Sequence, residues 1–181
     1  MPHTKASIED LYSVPEHGKA EIVDDELVLM SPTGALPNRA AGAIYLSLRL
    51  YERNRGLGFA YTDNAAFIVN LPRRKSFCPD AAFHASPPTM KFVNGAPVFA
   101  AEVRSEGDYG EAAEQAMARK RADYFAAGTL VVWDVDLLGD DVVRVYRASS
   151  PTEPRIYRRG EMAEAEPALP GWTMPVDELF S

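Results

Sequence analysis

Asp80 and Glu102 stand 22 positions apart in stretches that are otherwise apolar, Cys78-Pro79-Asp80-Ala81-Ala82-Phe83 and Phe99-Ala100-Ala101-Glu102-Val103. Acids in core-like runs need partners, because a buried carboxylate without one is costly. If the two runs are neighbouring strands with both acids on one face, the carboxylates can share a hard divalent cation, which takes oxygen ligands and keeps several waters. Such an ion polarises a phosphodiester and lowers the pKa of a bound water. A third group lies on the best helix of the sequence, Glu111 to Ala127. With Ala113 at zero on a helical wheel, Ala116, Met117, Tyr124 and Ala127 fall within roughly 60°, and Lys120 falls at about −20°. Lys120 is the one charge on that stripe, in a chain with 14 Arg and 5 Lys. A lone lysine there is most simply a side chain that runs along the helix to water. Beside two carboxylates, its ammonium can orient an attacking water or stabilise developing charge.

The elements that must position these groups follow from patterning. A short helix over Ser7 to Tyr12 is broken by Pro15 and Gly18, and two β-rich runs, Ala20 to Val23 and Leu27 to Met30, flank Asp24 and Asp25 as a hairpin. Asn38 is placed to cap a helix through about Arg53, with Ile44, Tyr45, Leu48 and Tyr51 at helical spacing and Gly56 and Gly58 ending it. Strands are expected at Phe59 to Thr62, Ala66 to Leu71 and Phe77 to His84, where Pro79 marks a strand start or edge. Pro87 to Pro97 reads as a loop, and Val98 to Arg104 alternates, with Phe99, Ala101 and Val103 on one face. Gly128 stops the long helix, and Asp108 is placed to cap its start. Leu130 to Val135 and Val142 to Arg147 are two further strands, followed by a looser tail, Pro151 to Ser181, with short strands and a turn at Asp177 to Phe180. Strands with helices interposed predict an α/β fold with one mixed sheet.

Composition narrows the setting. The 181 residues, 46% hydrophobic and 25% charged, suit one domain spanning 1–181, with no repeat or low-complexity tract. Membrane association is not expected, since no apolar run approaches the roughly 20 residues of a span. Met1 to Asp10 lacks the apolar stretch of a secretory signal, so a cytoplasmic location is the expectation. Cys78 has no partner for an intramolecular disulfide, and His3, His17 and His84 are too scattered for a zinc site; His17 and His84 read as structural. A net charge of −7 supplies no global field for nucleic acid, so any such binding must be local. The compact basic run is Arg73-Arg74-Lys75, which reads either as a solvated loop or as a contact for a phosphate backbone.

Several pieces, taken in order, resemble a known family: Ala20-Glu21-Ile22-Val23-Asp24, Leu29-Met30-Ser31-Pro32-Thr33-Gly34, Pro79-Asp80-Ala81-Ala82-Phe83, Ala101-Glu102-Val103-Arg104-Ser105, then Lys120, Tyr124, Ala126-Ala127-Gly128, Val132-Trp133-Asp134-Val135-Asp136, Pro170-Gly171-Trp172 and Leu179-Phe180. The chain is similar to the Uma-two restriction endonucleases, within the PD-(D/E)XK nuclease superfamily. The resemblance implies a restriction-endonuclease-like core, a central mixed sheet flanked by helices with an N-terminal hairpin. It implies that Asp80 and Glu102 hold Mg²⁺ or Mn²⁺, with the Val103 carbonyl beside them, that Lys120 acts from the helix, and that Glu21 is a further metal ligand. A partly exposed strand glutamate is the alternative for Glu21, and a core tyrosine the alternative to a Lys120-orienting role for Tyr124. The superfamily lysine falls two residues after the glutamate, where this chain has Arg104, which cannot serve as a base. Family members often carry a histidine near Leu36-Pro37-Asn38, and this chain does not.

The function so implied is metal-dependent hydrolysis of phosphodiester bonds, with DNA as the expected substrate and a homodimer compatible with cutting both strands. The alternative keeps the fold but drops catalysis, leaving a binding or interaction module. A Ser or Cys hydrolase is remote, since Ser105 and Cys78 lack a histidine at a recognisable spacing, and no nucleotide-binding fingerprint is present.

Overall fold

A computed structural model describes residues 5–14 and 18–181, so the expectations placed on His3, Pro15 and His17 lie outside the described residues. Helix α1 (Ile8–Tyr12) opens with a capping box between Ser7 and Asp10. Strands β1 (Lys19–Val23) and β2 (Glu26–Met30) form the antiparallel hairpin, with Asp24 and Asp25 at φ of 51° and 64°, the left-handed pair a two-residue turn requires.

Helix α2 (Ala35–Arg55) starts earlier than expected, with Gly34 as its N-cap and no side chain closing the end. Asn38 is not the cap, because its N–H already bonds the Gly34 carbonyl. Pro37 is tolerated in the first turn, where its missing N–H has no helical partner to lose. Gly56, at φ of 65°, ends the helix in the left-handed conformation.

The six-stranded mixed sheet has the order β11-β10-β9-β8-β6-β3, built from β3 (Phe59–Tyr61), β6 (Ala81–His84), β8 (Phe99–Val103), β9 (Val131–Val135), β10 (Val143–Arg147) and β11 (Ser150–Tyr157). Within this sheet only the β8–β9 pair is parallel. The Ala66 to Leu71 run contributes only β4 (Phe67–Ile68), which joins β5 (Ser76–Phe77) and β7 (Val93–Asn94) in a second, three-stranded sheet. The expected single strand over Phe77 to His84 is thus two, β5 and β6 in different sheets, parted at Cys78-Pro79-Asp80 because proline gives no N–H to a ladder.

The alternation of β8 sorts the two faces of the large sheet. Phe99, Ala101 and Val103 pack with Ile44, Leu48 and Tyr51 of α2, whereas Ala100 packs with Ala82, Val132 and Tyr124 on the side of helix α3 (Glu111–Ala126). The sheet is therefore flanked by α2 on one face and α3 on the other, and Glu102 shares the α3 face with Ala100. Helix α3 follows Gly110 at φ of 97°, and Gly128 stands at C′ as expected. Asp108 does not cap α3; its carboxylate accepts the Ser105 N–H at 2.7 Å. The tail forms the hairpin β12 (Met162–Glu164) and β13 (Thr173–Pro175), and a 3-10 helix at Val176–Phe180 packs on α2. Among the described residues no helix is long and apolar enough to cross a membrane.

Candidate active site

The β6–β8 register pairs Ala81 with Ala101 and Ala82 with Ala100, so the next step along both strands sets Asp80 against Glu102 on the α3 face. The Asp80 N–H bonds the Ala101 carbonyl at 3.1 Å, and the Val103 N–H donates to Asp80 Oδ2 at 2.8 Å. From α3, Lys120 Nζ lies 2.8 Å from Glu102 Oε1 and 3.0 Å from Glu21 Oε1. The three candidates Asp80, Glu102 and Lys120 are thus gathered at one open cleft of ≈ 1440 Å³. The apolar stripe found on α3 is not simply a core face. Ala116 and Met117 line this cleft and only Tyr124 is fully buried, which is why a lysine can sit on the stripe with its head among acids.

The hairpin brings a second layer. Backbone bonds from Lys75 N–H to the Ile22 carbonyl and from Asp24 N–H to the Arg73 carbonyl hold β1 beside residues 73–75, which turns Glu21 inward. Glu21 is 3% exposed, and its carboxylate takes Lys120 and the Cys78 N–H on Oε1 and Arg74 on Oε2. Burial pushes its pKa up, but Lys120, Arg74 and the Cys78 N–H outweigh that and hold it below the usual carboxylate range. Lys19, two residues earlier on the same face of β1, bridges Asp63 Oδ1 at 2.7 Å and Asp80 Oδ1 at 2.8 Å. Tyr124, stacked on Phe77 with ring centroids 4.0 Å apart, donates its hydroxyl to Glu102 Oε1 at 2.6 Å. It is at once a core ring and a polar group of the site.

These contacts form a row of charges, Asp63, Lys19, Asp80, Glu102, Lys120, Glu21, Arg74 and Asp123, in which each neighbouring pair but one is an ion pair. The exception is Asp80 beside Glu102, two anions that no cation of the described residues bridges. Five carboxylates against three cations leave the row two negative charges in excess. The Glu102 pKa is raised: burial raises it first, the Asp80 and Glu21 charges add to the rise, and Lys120 and Lys19 oppose it. The Lys120 pKa is raised as well. Burial would lower its pKa, but Glu102 and Glu21 outweigh it and keep the ammonium charged. Cys78, whose N–H bonds Glu21, has its thiol pushed up to about 12, by burial first, so it is no nucleophile near neutral pH.

Among the described residues no three His, Cys, Asp or Glu side chains converge as a ready metal-binding group. The arrangement is instead a pair of carboxylates with a deficit of positive charge. That fits Mg²⁺ or Mn²⁺, which commonly bind through one or two carboxylates with water and substrate phosphate completing the shell.

The basic groups near the cleft turn to partners within the protein. Arg104 is no substitute for the superfamily lysine, because it forms a two-pronged pair with Asp134, Nε to Oδ1 and Nη2 to Oδ2 both at 2.8 Å, and also pairs with Glu114. The basic run is likewise engaged within the protein. Arg73 grips Asp24, Arg74 lies buried between Glu21 and Asp123, and Lys75 Nζ bonds Asn70 and the Leu71 carbonyl. His84 is structural, accepting the Ser86 N–H on Nδ1 at 3.0 Å. Lys19 and Asp63 escaped the sequence reading. The two-residue spacing of Lys19 and Glu21 on β1 was a usable signal, whereas Asp63, in a turn, offered none.

Comparison with known proteins bears on the family and the fold. The fold is that of restriction-endonuclease-like nucleases. The Uma2 family, described as "Putative restriction endonuclease", matches residues 7–177, and the chain belongs to that family. Among solved structures, it is similar to a putative nuclease belonging to DUF820 from Anabaena variabilis ATCC 29413, with a TM-score of 0.74, 13% identity and 97% of each chain covered. No curated protein matches.

Proposed function

We propose that the protein is a divalent-metal-dependent nuclease that hydrolyses phosphodiester bonds in DNA, acting as one domain over residues 1–181, with Asp80 and Glu102 holding Mg²⁺ or Mn²⁺. The observation that carries this reading is the single break in the charge row, Asp80 beside Glu102, where a divalent cation would restore both alternation and neutrality. The ion, when bound, supplies Lewis acidity toward the phosphate and a more acidic water.

The side chains divide the remaining work. Glu102 is fixed by Tyr124 and Lys120 through Oε1, and among the described residues no donor engages Oε2. Asp80 is oriented by the Val103 N–H and Lys19. Lys120, protonated throughout the neutral range, acts as a cation toward the reacting phosphate or its water and not as a base. Glu21, whose two oxygens already accept three donors, is better suited to hold Lys120 in place than to complete a metal shell. Cutting both strands of a duplex would take two such sites, for which a homodimer is the simplest supply.

A second reading, a catalytically inactive binding module, is favoured by one fact: Lys19, Arg74, Lys120, Arg104 and Arg121, five cations lining the cleft, are each paired with an acid. The deciding experiment incubates the protein with Mn²⁺ and supercoiled plasmid, single-stranded DNA or RNA, beside Lys120→Ala. Cleavage of DNA by the wild type is expected, reduced about 10²-fold in the variant, a typical loss for one charge-stabilising group. Equal cleavage by both would remove Lys120 from the mechanism, and Mn²⁺ binding without any cleavage would favour the module.

A further inference from the structure

Lys19 has no part in the family reading, yet it bridges two acids of the charge row. One ammonium lies within 2.8 Å of oxygens from two carboxylates, Asp63 and Asp80, which come from different segments of the chain. Its side chain is 17% exposed, so its position is set by packing as well as by charge. In two-metal hydrolytic centres a second ion sits about 3.5–4 Å from the first and shares a carboxylate with it. Asp80 is the carboxylate that would be shared here, and the seat beside it, between Asp80 and Asp63, already holds a positive charge.

Resting on the proposed metal-dependent function, we infer that Lys19 fills the place of a second metal ion, so that the centre takes a single divalent cation at Asp80 and Glu102. The charge count agrees. With Lys19 present, one divalent ion neutralises the row, and a second would leave it two positive charges in excess at close quarters. Without Lys19 the row is three negative charges in excess, and Asp63 and Asp80 become a second pair of carboxylates without a bridging cation. The ammonium stays charged, since burial alone would lower its pKa but Asp80, Glu102 and Asp63 together raise it. Lys19 is thus a positioning residue that fixes Asp80 and sets metal stoichiometry.

The test counts bound Mn²⁺ per chain by equilibrium dialysis and native mass spectrometry, with no activity readout. The wild type is expected to bind one ion, Lys19→Met two, and the double variant Lys19→Met with Asp63→Asn one again. Lys19→Gln, which keeps a hydrogen bond to Asp80, replaces Lys19→Met if circular dichroism shows the latter unfolded. Two ions in the wild type, or one in a folded Lys19 variant that retains Asp63, would overturn the inference while leaving metal-dependent hydrolysis standing. No ion in the wild type would bring down the metal-dependent reading itself, and the inference with it.

Discussion

Glu102→Gln is expected to lower Mn²⁺-dependent cleavage about 10³-fold, roughly 4 kcal/mol of transition-state stabilisation, while making the metal-free protein more stable at neutral pH. Both effects have one cause. Burial first, and then the Asp80 and Glu21 charges beside it, raise the folded-state pKa of Glu102, so ionising it works against the fold. For such a group the stabilising contribution is complete below the unfolded carboxylate pKa and is lost as pH rises through the raised folded value. The substituted amide would keep an acceptor for Tyr124 and Lys120 without the charge. Melting curves in chelator should therefore coincide for wild type and variant near pH 4 and separate toward pH 7, with the variant higher. A variant that melts lower at pH 7 would mean that the surrounding cations already compensate Glu102, and the case for a missing cation would fail. Losing function while gaining stability is the behaviour expected of a group placed for chemistry.

Arg104→Met is expected to be the most destabilising single change near the cleft, costing about 3–5 kcal/mol, as breaking a buried ion pair does. Arg104 and Asp134 are both 4% exposed at the side chain, and without the guanidinium Asp134 would keep only Arg121, at 3.5 Å. For a chain of this length that loss corresponds to a fall of about 10 °C in Tm, read by calorimetry. Arg104→Lys should recover only part of it, because an ammonium cannot match the two parallel bonds to Asp134. Below its melting temperature the Met variant should still bind Mn²⁺, since Arg104 pairs with Asp134 and Glu114 and not with the acids of the charge row. An unchanged Tm would show that Asp134 is satisfied without it.

The pattern of legibility follows from range. Local signals were readable: the hairpin from its two adjacent aspartates, the end of α2 from Gly56, the length of α3 from its composition and Gly128. Asp80 and Glu102 stood out because acids are costly in apolar strands, and the strand period alone sets Glu102 on the face opposite Phe99, Ala101 and Val103. Partner choice was not readable, because it is decided by chain segments distant in sequence. Whether Arg74 would meet a phosphate or Glu21 depends on β1 lying beside residues 73–75. Whether Arg104 would reach the site depends on Asp134 standing opposite Glu102 in the parallel β8–β9 ladder. The early start of α2 was missed because Gly34 closes that end with no side chain, leaving Asn38 as the more persuasive signal.

The most direct measurement is a calorimetric titration of Mn²⁺ into the wild type and into Asp80→Ala. Saturable binding in the wild type that disappears in the folded variant is the predicted result. Heat of the same size and midpoint in both would contradict it, because the ion would then be held somewhere other than between Asp80 and Glu102.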